Sequence, residues 1–110
     1  MAARATAALV AGDHLLVADL VLAECVYVLE SFYGVSPVEV VALMRAAIAP
    51  PTIDVTDEPA LLRALEIYEL ARSDFADAYL VAQAEVTGVD AILSFDRSID
   101  RVATIARREP

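Results

Sequence analysis

Asp74 and Asp77 stand three residues apart in the stretch Ser73-Asp74-Phe75-Ala76-Asp77-Ala78-Tyr79-Leu80-Val81-Ala82. On a helix that spacing projects both carboxylates from one face, about one turn apart. Ser73 or Asp74 is placed to cap that helix by accepting from its first free N–H groups. The residues around the pair are apolar, so the two acids need a cation, a donor or water. A helix N-terminus relieves only the first of them appreciably.

Two more acids have unusual settings. Glu24 is the only charge in Leu20–Leu29 (LVLAECVYVL), a segment apolar on nearly every face. A buried, unpaired carboxylate there would cost several kcal/mol or bind a proton. Asp96 follows the apolar run DAILS (90–94) by two residues. Glu24, Asp77 and Asp96, with Asp74 beside them, form an all-oxygen donor set suited to Mg²⁺ or Mn²⁺ rather than zinc. The natural chemistry of such a set is phosphodiester hydrolysis.

Each acid also has a plainer reading. Glu24 would lie on a solvent stripe, Asp74 would be only a cap, and Asp96 would cap the turn after it. Asp77 sits inside its helix between Ala76 and Ala78, small residues that let something approach closely. Glu30, Asp13, Asp54, Asp57, Glu58, Glu66, Glu69, Glu85, Asp90 and Asp100 read as caps or solvated faces. Cys25 reads as a small core residue and His14 as a strand-end side chain.

With 110 residues the chain is expected to form one domain. An apolar share of 59% excludes disorder. The net charge of −9 argues against coating nucleic acid by bulk electrostatics. It leaves a nuclease open, because metal ions invert the local field at a carboxylate cluster. All eight cationic side chains are Arg. Lysine chemistry, including Schiff bases, phosphate loops and receiver-type phosphorylation, is therefore excluded. One Cys and one His build neither a disulfide framework nor a His-based metal site. The apolar start, MAARATAALVAG, is short and soon broken by Asp13, His14 and Asp19. A cytoplasmic protein with no membrane span is expected.

The elements that must position the acids alternate. A short helix is predicted over residues 2–11, closed by Gly12, and a buried strand in HLLVA (14–18). Asp19 is read as the cap of a helix from Leu20 to Phe32. Ser36, Pro37 and Glu39 start the next helix with agreeing signals, and Pro50-Pro51 stop it near Ala49. TIDV (52–55) is a short strand. Thr56 or Asp57 caps a helix that carries Leu61, Leu62, Leu65 and Leu70 toward the core and ends near Arg72. The Asp74/Asp77 helix closes at Gly88. DAILS is expected to be a fully buried strand, followed by a loop, a helical turn from Ile99 and a last strand near residues 104–106. This alternation predicts an α/β domain with a parallel sheet covered by helices on both faces. Asp19 and Asp96 then belong to the edge beyond the strand ends, where ligands gather in such folds.

With these segments in view the chain resembles the PIN domain, in particular the VapC-type toxins of bacterial toxin–antitoxin pairs. VLAE (21–24) followed by VYVLE looks like the family's second-acid helix. DFADAYLVAQA (74–84) looks like its third-acid helix, with Asp77 at the metal ligand. LSFDRSID (93–100) looks like the strand and loop of its fourth acid, with Asp96 there. The resemblance, from about Leu15 onward, implies an endoribonuclease dependent on Mg²⁺ or Mn²⁺ that hydrolyses RNA by metal-activated water. It also implies a cognate antitoxin that blocks the site, and a homodimer. Arg97, beside Asp96, is the candidate phosphate contact.

Family members open with a strand ending in a first Asp. Here Met1-Ala2-Ala3-Arg4 corresponds to the helix after that strand, and neither Asp13 nor Asp19 matches the first acid. The expectation is a PIN-like three-layer α/β/α domain over residues 1–110, its N-terminal central strand missing. Reduced activity and rescue by dimerisation or strand exchange go with it. The alternative is a non-catalytic interaction module that binds an antitoxin or its own copy through Leu20–Tyr33.

Overall fold

The computed structural model describes residues 13–110, so the helix predicted over residues 2–11 lies outside the described residues. Strand β1 (Leu15–Val17) leads into α1 (Asp19–Ser31), α2 (Pro37–Ile48) and β2 (Ile53–Val55). Helices α3 (Glu58–Ala71) and α4 (Phe75–Thr87) follow, then β3 (Ala91–Leu93), a 3-10 turn (Arg97–Arg101) and β4 (Ala106–Arg108). This is the mixed α/β class, with parallel strands, that the alternating pattern predicts.

Most helix ends are set by local chemistry. Ser36 caps α2, its hydroxyl accepting from the Glu39 N–H, and Pro37 opens the helix. Asp57 caps α3 by accepting from the Ala60 N–H at 3.1 Å, and Asp74 caps α4 by accepting from the Ala76 N–H at 3.3 Å. Gly88 closes α4 at φ +72°, in the left-handed region open to glycine. Arg72 ends α3 in the same region at φ +53°, which strains a residue with a Cβ. The Arg101 guanidinium donates to its carbonyl at 3.0 Å and holds this turn. Asp19 is not a cap, contrary to expectation. Ala18 takes that position without a side-chain bond, and Asp19 lies in the first turn, its carboxylate accepting from the Leu20 N–H.

The core gathers Leu22 and Val26 of α1, Val40, Val41 and Met44 of α2, Leu61 and Leu65 of α3, and Phe75 and Val81 of α4. Tyr68, Phe75 and Tyr79 run through it as successive inclined rings, each pair with centroids 6.1 Å apart. The Arg63 Nε–H is shared between both carboxylate oxygens of Glu85, at 2.9 Å each, and ties α3 to α4. Leu62 and Leu70 are exposed, contrary to expectation. Packing against α4 selects the face of α3 that holds Leu61, Leu65 and Tyr68, and Leu62 and Leu70 lie off it.

The described strands form two parallel pairs, not one sheet. In one, Leu15 lies opposite Ile53 and Val17 opposite Val55; in the other, Ala91 lies opposite Ala106 and Leu93 opposite Arg108. No described strand bonds to both pairs. The burial expected for HLLVA and DAILS is therefore only partial: Leu16 and Leu93 are each 69% exposed, and of β3 only Ile92 is buried. The last strand starts at Ala106, later than predicted. Arg107 fixes it, donating through two nitrogens to the Asp100 carboxylate and through Nη1 to the Ser94 carbonyl.

Candidate active site

Helix α4 is the hub of the acids. It packs on α1, which carries Glu24, and on β3 and the 3-10 turn, which flank Asp96. Asp77 lies in its first turn and is half-buried. There the helix N-terminus favours a negative charge. Asp96 is exposed just past β3; its N–H donates to the Ser94 hydroxyl at 3.0 Å, and its carbonyl accepts from the Ile99 N–H. Ile99, buried in the core, anchors the turn that follows Asp96 against α4. Neither Asp77 nor Asp96 is without interactions in the chain.

Glu24 is exposed, so the buried-charge argument for it does not hold. The outer face of α1 is in solvent although it is apolar: Leu20, Val21, Tyr27 and Val28 are exposed there. Cys25 is exposed too, not a core residue. His14 lies beside its strand and pairs with Asp54 at 3.3 Å in the open, where such contacts contribute little. Arg97, the candidate phosphate contact, is exposed at the start of the 3-10 turn.

The acid that sequence reasoning passed over is Glu30. It shares two clefts with Asp74. The smaller, about 220 Å³, is bounded by Ala23, Val26, Tyr27, Phe75 and Ala76. The larger, about 710 Å³, is bounded by Tyr27, Pro37, Val38, Tyr68, Arg72 and Ser73 among others. The Tyr68 hydroxyl donates to the Glu30 carboxylate. A signal was present in the sequence: Glu30 falls four residues after buried Val26, so it lies at the edge of the α1 stripe that meets the core, although it is itself exposed.

Burial first, and then the charge of Asp74, raise the Glu30 carboxyl above its ordinary 4.5. The folded chain thus holds this proton more tightly than the unfolded chain. Stability therefore falls as pH rises from 4.5 through the raised value. Glu30→Gln, which still accepts from Tyr68, is therefore expected to stabilise the protein at pH 7. The gain should vanish below pH 4.5; urea denaturation of both proteins at pH 7 and pH 4 checks it. Burial, followed by the charges of Asp19 and Asp57, raises the Tyr79 hydroxyl above its ordinary 10.0. Those two acids lie beyond the ends of β1 and β2, so the region past these strand ends is negative.

Among the described residues, no group of three or more His, Cys, Asp or Glu side chains lies close enough together to hold a metal ion. That does not suit a closed cage of protein ligands such as zinc prefers. Glu24, Asp77 and Asp96 are thus not brought together as one metal cluster in this structure; one or two of them could contribute to an ion of the Mg²⁺ type, whose remaining ligands are substrate phosphates and water. The all-oxygen chemistry of Glu24, Asp77 and Asp96 agrees with such an ion.

No helix among the described residues is long and apolar enough to cross a membrane. Comparison with curated proteins and with solved structures finds no match. The family model described as the PIN domain matches residues 1–105, reaching upstream of Leu15, where the likeness of the acid motifs begins. PIN domains are generally nucleases, and those nucleases generally use divalent metal ions. The chain belongs to the PIN domain family.

Proposed function

We propose that this chain is a Mg²⁺- or Mn²⁺-dependent endoribonuclease, the toxin of a VapBC-type toxin–antitoxin system. The observation that carries the reading is the packing around α4. The helix bearing Asp77 touches both the helix bearing Glu24 and the turn that follows Asp96.

In this reading one or two of Glu24, Asp77 and Asp96 hold the ion, with substrate phosphates and water completing its shell. When bound, it supplies a water made acidic and a counter-charge for the transferring phosphoryl group. Asp77 also stands in the first turn of α4, where the helix dipole favours negative charge. Arg97 grips a neighbouring phosphate through its planar fork of donors. Asp74 is left out of the set, since its carboxylate caps α4 and faces Glu30. A cognate antitoxin, a homodimer and a cytoplasmic setting belong to the same proposal.

The test is cleavage of a single-stranded RNA in Mn²⁺ by the chain and by Asp96→Asn. Cleavage is expected from the first, much less from the second, and none with excess EDTA. Cleavage that survives EDTA would refute the metal requirement.

The exposed apolar face of α1, with Leu20, Tyr27 and Phe32, favours the second reading, an interaction module. Its mark would be partner binding unchanged by Asp77→Asn and Asp96→Asn.

A further inference from the structure

Helix α4 starts at the larger cleft, about 710 Å³, which α1, the start of α2 and the end of α3 also border. Three carboxylates, Glu30, Glu69 and Asp74, line it against a single cation, Arg72. Tyr68 donates to Glu30 and the Ala76 N–H to Asp74, so each carboxylate retains further acceptor capacity. Ser73 lines the same space. It is 5% exposed, and its hydroxyl bonds to nothing among the described residues. A buried hydroxyl in that state costs free energy until something bonds to it. Tyr27 supplies an exposed aromatic wall, its ring edge-on to that of Phe32 at 6.5 Å.

The excess of acids decides what can enter. Carboxylates repel a phosphate, and a purely apolar group would leave the Ser73 hydroxyl unsatisfied. The cleft calls for a neutral, planar group whose edge carries donors for carboxylates and an acceptor for a hydroxyl. Guanine has that edge: N1–H and N2–H₂ side by side, with O6 next to them. Adenine, cytosine and uracil present no two adjacent donors on their Watson–Crick edges.

We propose that this cleft receives a guanine base of an RNA strand. The carboxylates of Glu30 and Asp74 accept from N1–H and N2–H₂, and the Ser73 hydroxyl donates to O6. The base stacks on Tyr27, as unpaired bases do on aromatic side chains. Arg72 is exposed and forms no ion pair among the described residues, so its guanidinium is left for a phosphate at the mouth. Ser31, exposed at the end of α1, stands at the rim for the ribose. Asp74 precedes Asp77 by three residues at the start of α4, about one helical turn. A guanine held here therefore selects which bond reaches Asp77. The inference names a sequence preference and rests on the ribonuclease reading.

The experiment is an NMR titration of the full chain with the trinucleotides UpGpU, UpIpU and UpApU, in EDTA so that no RNA is cut. UpGpU is expected to shift the amide signals of Tyr27, Glu30 and Ser73 saturably. UpIpU lacks only the N2 amino group and should bind about tenfold more weakly, with UpApU weaker still. Ser73→Ala should weaken UpGpU several-fold without lowering the melting temperature, since it removes a hydroxyl that bonds to nothing among the described residues. Arg72→Gln should weaken all three trinucleotides alike and flatten the salt dependence of binding.

Equal binding of UpGpU and UpIpU would overturn the proposal, as would no saturable shift with UpGpU. Unchanged UpGpU binding in Ser73→Ala would overturn the placing of O6. Guanine binding without Mn²⁺-dependent cleavage would keep the subsite and remove the ribonuclease. Cleavage without guanine binding would do the reverse. The inosine comparison needs no variant, so the proposal remains testable if a substitution impairs folding.

Discussion

Asp77→Asn is expected to reduce RNA cleavage at least ~100-fold while leaving the fold intact. Losing a residue that merely supports a metal ligand commonly costs 10–100-fold, so losing a direct ligand should cost at least the upper value. The change is isosteric and half-buried, in the first turn of a helix whose cap, Asp74, is untouched. Losing the charge–dipole interaction should cost about 0.3–1 kcal/mol, with the carboxylate's other interactions in the chain adding to it. Single-turnover cleavage of an RNA oligonucleotide, read beside a thermal melt, separates the two effects. A cleavage rate within a few-fold of the parent, with an unchanged melt, would remove Asp77 from the chemistry. A collapsed melt would instead identify it as a structural residue.

Leu65→Ala should be the most damaging core substitution, by about 2–5 kcal/mol. Leu65 is 0% exposed, on the face of α3 that packs against α4, and truncating it leaves a cavity between the two helices that carry most of the core. Against a typical total of about 5–15 kcal/mol, that is a large fraction of the stability. Leu70→Ala lies on the same helix but 76% exposed, and should change stability by no more than about 0.5 kcal/mol. Urea denaturation of the two variants is a direct comparison of faces. Equal losses would mean that Leu70 is covered in solution, by a partner or a second copy.

The pair also shows what could be read from the sequence. Cap signals were legible because they depend on nearest neighbours: Ser36 with Pro37 and Glu39, Asp57 before Pro59, and Gly88 after an apolar run all end or start helices as expected. The outward face of an apolar helix was not legible. In α1 nearly every position is hydrophobic, so periodicity does not distinguish buried Val26 from exposed Val28. For the same reason Glu24 looked buried although it is exposed; Glu30 is exposed as read, and it also lines both clefts. Leu62 and Leu70 failed in the same way, because the α3–α4 packing chooses among the leucines.

Strand positions were found, but not their pairing. Three-residue strands carry too little alternation to fix a register or to show that β1–β2 and β3–β4 form separate pairs. The polar strand β4 gave no hydrophobic signal; its placement depends on the Arg107–Asp100 pair. The acids themselves were legible by type and by order along the chain. The packing of their elements around α4 required the tertiary contacts.

The central claim is that Glu24, Asp77 and Asp96 still take up a divalent ion in this chain. Calorimetric titration of Mn²⁺ into the 110-residue protein, beside Asp96→Asn, tests it most directly. Saturable heat from the parent, absent or strongly weakened in the variant, is the predicted result. Equal heats from both, or none from either, would contradict the claim and leave a PIN domain without the metal chemistry proposed for it.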